Sequence, residues 1–340
     1  VVSLSRLRTL GYLFLGLLVL LVFANYIIRK PELFPKRNTL FIYSYPSFLN
    51  AWGPGPQLIR EFEKTCDCHV QTVQVDDSSL MIQKLLSEKK KRVDLVIGLD
   101  QMHLSEARER LEWQVLFELT DRHSDIEFSQ DKLFAPLDWA PLTFIYRKSE
   151  VKKPPTSLDD FLKPEWRNSI ALQDPRTSTV GLQFVSWVHL LKKDKALEFL
   201  KQLKPALHSI SPSWSTAYGL FKKKQSKFVY SYLTSPVYHW VEDKDLDYQP
   251  LVLKEKLAVQ HEWIAVPKDS GNTPLAISFI EFLLSDSAQR VIMQKNFMFP
   301  AKEAVMAGTP FGSLPLVETF LLSDYTSIQL KDLLDLWSQI

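Results

Sequence analysis

Rings and hydroxyls in this sequence fall in patterns that could hold a flat, charged molecule. Between Phe228 and Trp240 the chain reads FVYSYLTSPVYHW. Tyr230 and Tyr232 stand two apart, so a strand would aim both at one face of a sheet. A Thr-Ser-Pro break separates them from Tyr238, His239 and Trp240. A strand buried in an ordinary core would favour Val, Ile and Leu. Further rings gather where turns are expected: Tyr43, Tyr45 and Trp52; Trp214 and Tyr218 in SWSTAYG; Phe297 and Phe299 in NFMFP. Faces of Trp and Tyr attract cations, each worth about 0.5–2 kcal/mol depending on desolvation. The strongest polar constellation is QDPRTSTVG, Gln173 to Gly181, where Thr177, Ser178 and Thr179 precede a helix. One hydroxyl would cap that helix. Three hydroxyls with free backbone N–H groups also form a site for an anion or a hydroxyl-bearing tail. Asp76-Asp77-Ser78 is a second candidate, at a strand-to-helix turn, where capping is the plainer reading.

Other chemistries are poorly served. No GxSxG elbow, HExxH pair or Gly-rich phosphate loop occurs, and the chain holds only ten glycines. A net charge of +2 gives no broad basic field for nucleic acid. The runs KKKR (Lys89 to Arg92) and KKK (Lys222 to Lys224) read as solvated helix ends and loops. Cys66 and Cys68 in CDCH are the only cysteines. They could pair across one residue or stay reduced; with His69 they do not make the four ligands of an ordinary zinc site. A cysteine nucleophile beside His69 would sit at a helix-to-strand junction in a charged stretch, a poor place for catalysis.

The elements that must position these residues alternate. LFIYSY (Leu40 to Tyr45), CHVQTVQV and VDLVIGL (Val93 to Leu99) read as strands, with helices PQLIREFEKT and SLMIQKLLSEKK between them. That is the pattern of a parallel α/β unit. LDWAPLTFIYRK (Leu137 to Lys148) is a β-prone run broken by Pro141, able to pass from one domain to another, and KLAVQHEWIAVP (Lys256 to Pro267) is its counterpart. Between them SIALQD, the helix TSTVGLQFVSWVHLLKK and the strand KFVYSYL form a second α/β unit, and helices return in PLAISFIEFLLSDSAQRVIMQK. The expectation is an α/β protein of two lobes joined by two β crossovers, with the ligand at strand ends in the cleft. The expected first lobe is 38–140 with 262–312, and the second is 141–261 with 313–340. Ahead of them Arg6 and Arg8 precede the apolar run Leu10 to Ile28. Such a segment directs export, either as a signal peptide cut after Ala24 or as a membrane anchor retained with its linker to residue 37.

Taken in order, YSYPSFLNAWGPGP, FEKTCDCHV, LVIGLD, QDPRTSTVGL, WSTAYGLF and YSYLTSPVYH resemble the thiamine-binding periplasmic proteins of bacterial ABC importers, from about Phe41 to Pro300. The resemblance implies a two-lobed type II solute-binding protein with no catalytic residues, metal or cofactor. It would close over thiamine or its mono- or diphosphate and deliver it to an inner-membrane permease with its ATPase. The implied setting is the periplasm or the outer face of the cytoplasmic membrane, with the protein a monomer. It also implies that Tyr238 stacks on the ligand, that Tyr232 and Trp214 line the pocket, and that Ser178 and Asp77 are the family's serine and acid. Tyr45 and Trp52 would be the aromatics of the opposite lobe. Three positions depart from the family pattern. Phe297 replaces the second stacking Trp, Ser78 stands where a Gly often follows the acid, and Pro46 replaces an Asp. Phe keeps a π face with lower cation affinity. The competing readings on the same fold are a polyamine or ferric-iron binder, and a thiaminase I-like enzyme with a Cys nucleophile.

Overall fold

The computed structural model describes residues 38–88, 92–116, 131–326 and 328–340. The apolar segment at 10–28 and most of the Lys89–Arg92 run lie outside the described residues. The first half alternates as expected: β1 (Thr39–Ser44), α1 (Pro46–Leu49), α2 (Gly55–Cys66), β2 (His69–Gln74), α3 (Ser78–Ser87), β3 (Leu95–Asp100) and α4 (Leu104–Arg110). The long β4 (Phe134–Arg147) leads to β5 (Ile170–Gln173), α5 (Thr179–Lys192), α6 (Ala196–Leu203) and β6 (Leu207–Ser211). Then come α7 (Trp214–Lys222), β7 (Phe228–Tyr232), α8 (Ser235–Tyr238), β8 (Tyr248–Pro250) and β9 (Val259–Ala265). Last are α9 (Thr273–Leu283), α10 (Asp286–Asn296), β10 (Phe299–Pro300), α11 (Leu322–Tyr325) and α12 (Leu330–Ser338).

The described strands form one sheet in the order β2-β1-β3-β9-β4-β7-β5-β6, with β8 and β10 also paired to β4. β1 and β3 are parallel, as are β5 and its neighbours β6 and β7. Between these parallel groups β9 and β4 run antiparallel to what they touch. The sheet is therefore mixed, because the chain re-enters the first group of strands from the opposite direction.

Pro141 does not break β4. It is the residue at which β4 changes partner: Pro141 faces Val259 on β9, and the next residue, Leu142, faces Tyr232 on β7. A proline lacks the N–H of a ladder, so it is tolerated where one ladder ends and another begins. Its carbonyl still accepts from Leu233 N at 2.8 Å.

Both faces of the sheet are covered, which explains why its strands read as unbroken apolar runs. On the β1–β3 side, Ile42, Leu95 and Ile97 meet Phe279 and Ile280 of α9, while Tyr43, Val96 and Leu99 meet Trp113 and Trp263. On the β5–β7 side, Leu142, Phe144 and Tyr230 pack on Phe184 and Trp187 of α5, and Ile145, Ala171 and Val229 on Phe221 of α7. Tyr230 is fully buried there, its ring stacked 5.8 Å from that of Trp187.

Three expectations change. The helical run from Pro274 to Lys295 is two helices, because Ser285 accepts from Ala288 N and starts α10 afresh. Trp214 opens a helix and Tyr238 closes a short one, rather than lying in turns. The segment 196–211 supplies a helix and the strand β6 that pattern reading left unassigned.

One glycine shapes the site directly. Gly98 sits at a bulge of β3 against β9 with φ +99°, and a Cβ there would lie 2.3 Å from two ring carbons of Tyr45. Gly98→Ala should destabilise by about 1–3 kcal/mol through the disfavoured backbone and push the Tyr45 ring out of place. Urea unfolding and the accessibility of Tyr45 to solvent perturbation check both effects.

Candidate functional site

Two motifs recognised separately in the sequence meet at Asp100. At the start of α3, Asp77 caps by accepting from Leu80 N at 3.2 Å. The next residue, Ser78, is buried and its Oγ accepts from Asp100 N at 3.2 Å. From the start of α5, Thr179 Oγ1 donates to Asp100 Oδ2 at 3.3 Å. His103 Nδ1 lies 3.0 Å from both carboxylate oxygens of Asp100. Burial would lower the His103 pKa, but the charge and hydrogen bonds of Asp100 outweigh it and raise it. Burial raises the pKa of Asp77, opposed by the Leu80 hydrogen bond and reinforced by the charge of Asp100.

The three hydroxyls before α5 therefore do different things. Thr177 turns away and donates to Pro212 O at 2.8 Å. Ser178 is the N-cap residue of α5, nearly buried, but its side chain makes no cap hydrogen bond. Simple capping is not what Ser178 does. Gly181 lets this helix start close on β5: a Cβ there would lie 2.5 Å from Gln173 O.

The rings form two groups. Trp214 donates from Nε1 to Ser231 Oγ at 2.8 Å and stacks on Tyr218 at 5.1 Å. Tyr218 is stacked in turn on His239, and His239 on Tyr248 at 3.5 Å. Tyr232 lies 6.3 Å from Trp214, half-buried at the end of β7. In the second group Tyr238 meets Phe297 edge-to-face, centroids 5.3 Å apart at 81°. A flat ring sandwiched between two such faces needs them about 7 Å apart, two van der Waals contacts. Phe297 caps α10 in the left-handed region at φ 54°, unusual for a bulky residue. Trp52 is 57% exposed and joins neither group.

Tyr45 and Tyr232 both border a buried acidic centre. Asp138 on β4 and Glu262 on β9 face each other in register, 0% and 6% exposed. Asn296 at the end of α10 donates from Nδ2 to Asp138 Oδ2 at 2.7 Å and to the Tyr45 hydroxyl at 2.8 Å. Gln260 Nε2 donates to Glu262 Oε1 at 2.9 Å. Burial, then the charge of Glu262, pushes the Asp138 pKa well up. Burial raises Glu262 from its ordinary 4.5 to about 7, against the hydrogen bonds of Tyr45 and Gln260. Burial and the charges of Glu262 and Asp138 also hold both tyrosines in the phenol form.

Residues 90–311 match the family of bacterial extracellular solute-binding proteins. A thiamine-binding periplasmic protein of Brucella suis biovar 1 (strain 1330) is 36% identical over 289 residues, 84% of this chain and 86% of that protein. The protein of the same description from Escherichia coli (strain K12) is 32% identical over 79% of this chain and 83% of its own. Among solved structures, a periplasmic thiamin binding protein superposes with a TM-score of 0.81 at 30% identity, covering 88% of this chain and 95% of that one. The chain belongs to the bacterial extracellular solute-binding proteins.

In this solute-binding protein the sequence pattern points to most of these rings and hydroxyls but not to Asp100, Asp138, Gln260, Glu262 and Asn296. Asp138 and Glu262 each sit in a β run of otherwise apolar and aromatic residues (LDWAPL and QHEWIA), and a carboxylate inside such a run is the signal that was available. The cysteines are joined as a disulfide, Cα atoms 5.1 Å apart, at the end of α2.

An acid whose pKa is higher in the folded state binds more protons when folded, so its effect is to lower stability as pH rises. For Glu262 the loss sets in above about 4.5 and is complete once pH passes about 7. Glu262→Gln should leave stability within about 1 kcal/mol at pH 5 and raise it by roughly 3 kcal/mol at pH 8. Urea midpoints at the two pH values, without added ligand, test this.

Proposed function

We propose that this protein is the extracytoplasmic receptor of an ABC importer that takes up thiamine, or its mono- or diphosphate, between two lobes and hands it to an inner-membrane permease and its ATPase. The observation that carries the reading is the likeness to thiamine-binding periplasmic proteins over four-fifths and more of the chain, together with the centre just described. Thiamine carries a cationic thiazolium, a flat aminopyrimidine with donors and acceptors, and a polar tail. Tyr238, Phe297, Trp214 and Tyr232 offer faces for the planes. Ser178 and the backbone N–H groups at the start of α5 offer donors for a hydroxyl or phosphate tail, and Thr179 could join them by releasing Asp100. Asp77 and Ser78 oppose them from α3. The lobes would move about the β4 and β9 crossings, and closure over the ligand is what the permease would read.

The other readings have less support. Ferric ion and spermidine/putrescine binding proteins share the fold at 16% and 19% identity, which speaks to architecture alone. A paired-tyrosine iron site would need Tyr230 beside Tyr232, and Tyr230 is packed in the core. A cysteine nucleophile of the thiaminase kind would first need the Cys66–Cys68 disulfide reduced.

Titration of the exported region with thiamine, followed by Trp fluorescence, should give a saturable change. Tight binding of another solute with no response to thiamine or its phosphates would defeat the assignment. Tyr238→Ala should weaken thiamine binding by roughly 1–3 kcal/mol through lost apolar burial and cation–π attraction. Unchanged affinity would remove Tyr238 from the site.

A further inference from the structure

The pair Asp138–Glu262 is the strongest unresolved electrostatic feature of the fold. Like charges directly opposite on neighbouring strands repel, and a buried carboxylate without a cation is costly to maintain. Among the described residues no Lys, Arg or His forms an ion pair with either one. Their amide partners satisfy one oxygen each, from Asn296 and Gln260. Asp138 Oδ1, Glu262 Oε2 and the carbonyl oxygen of Gln260, itself 4% exposed, are buried with no hydrogen-bond partner. Three buried acceptors thus lie in one centre whose neighbouring donors are the neutral hydroxyls of Tyr45, beside Glu262, and Tyr232, beside Gln260, and none of these brings positive charge.

The groups around the pair come from every side. Tyr45 faces it from the end of β1, Asp100 from β3 and Tyr232 from β7. All are neutral phenols or acids, so none supplies positive charge. His261, the neighbouring residue on β9, is no counter-ion: burial pushes its pKa down to about 3, and its ring lies with Trp139 and Trp263. The local field is therefore negative, and a buried acidic pair with no counter-ion calls for a molecule that brings positive charge. Asn296 links the pair to the ring gate, because it immediately precedes Phe297, the ring that meets Tyr238.

We propose that Asp138 and Glu262, braced by Asn296 and Gln260, are the charge-selecting subsite of the pocket, facing the cationic part of the ligand and setting its preference over a neutral molecule of the same shape. This rests on the reading of the pocket as a thiamine-type site, and it adds the residues that discriminate by charge. The pair carries a proton at low pH and a net negative charge once Glu262 ionises, so cation affinity rises with pH across that ionisation.

The test compares the wild-type exported region with the double variant Asp138→Asn, Glu262→Gln. Both are titrated with thiamine and with deazathiamine, in which a neutral thiophene replaces the thiazolium. Wild type should favour thiamine, with affinity rising between pH 5 and pH 8. The double variant should lose about ten- to hundredfold in thiamine affinity at pH 8, the low end of what close charge pairs contribute. It should retain deazathiamine binding and show no pH slope. Circular dichroism and thermal unfolding confirm that the variant is folded; removing two facing carboxylates should raise its Tm at pH 8. A folded double variant with the wild-type preference and slope overturns the subsite and leaves the vitamin reading intact. If wild type takes neither compound, the vitamin reading falls and spermidine becomes the probe. A loss of spermidine affinity in the double variant then upholds the subsite, and equal or absent binding overturns it.

Discussion

The hand-over of β4 from one ladder to another at Pro141 is the constraint on which the rest depends. Up to Pro141 the strand is bonded to β9, and from Leu142 onward to β7 and then β8. One strand therefore belongs to both hydrophobic cores, and residues near the change of partner are placed by both. Asp138 lies three positions before it, and Tyr232 is directly across from Leu142. That is how a carboxylate embedded in the β1–β3 side and a ring at the end of β7 come to share one electrostatic environment. β9 adds Gln260 and Glu262 at the same level. The acidic centre is built on strand ladders, and helix starts and caps abut it.

This placement explains a division of labour among the polar groups. Helix starts carry groups whose hydrogen bonds are made locally or to Asp100: Asp77 to Leu80, Ser78 and Thr179 to Asp100. Strands carry Asp138, Gln260 and Glu262, whose second acceptors are unpaired. Groups of the first kind stabilise the fold as it stands. Groups of the second kind leave free energy to be recovered by whatever supplies donors and charge, since an unmet buried acceptor costs about 1–3 kcal/mol. Natural chains keep such groups where function depends on them and are otherwise well satisfied.

Much of this was legible in the sequence, and the failures follow from what periodicity can encode. Unbroken apolar runs located β1, β3, β4, β7 and β9, because their side chains are buried on both faces. The acid-hydroxyl pairs marked the starts of α3 and α5, because Asp, Ser and Thr are common at helix N-termini for a local reason. The meeting of those two starts at Asp100 is a tertiary fact, with Thr179 and its partner 79 positions apart, and no window of sequence contains it. Trp52 shows the same limit: its type fits a binding ring, while its exposure is set by a loop that periodicity does not place. The resemblance to a known family supplied the roles of Tyr238 and Phe297, but not that their rings touch.

The contact between Tyr238 and Phe297 bears on how the pocket admits a ligand. Tyr238 ends α8, while Phe297 caps α10 in a left-handed conformation that a phenylalanine adopts only under constraint. Lys222 Nζ lies 5.0 Å from the Tyr238 ring centroid, so one face of that ring already has a cation. If the ligand ring is held between these two aromatics, as proposed, they must separate to admit it, and Phe297 stands at the helix cap where such a change would be absorbed. Asn296, the residue before that cap, holds both Asp138 and Tyr45. Under the proposed reading, ring separation and charge recognition would meet at two consecutive residues, Asn296 and Phe297.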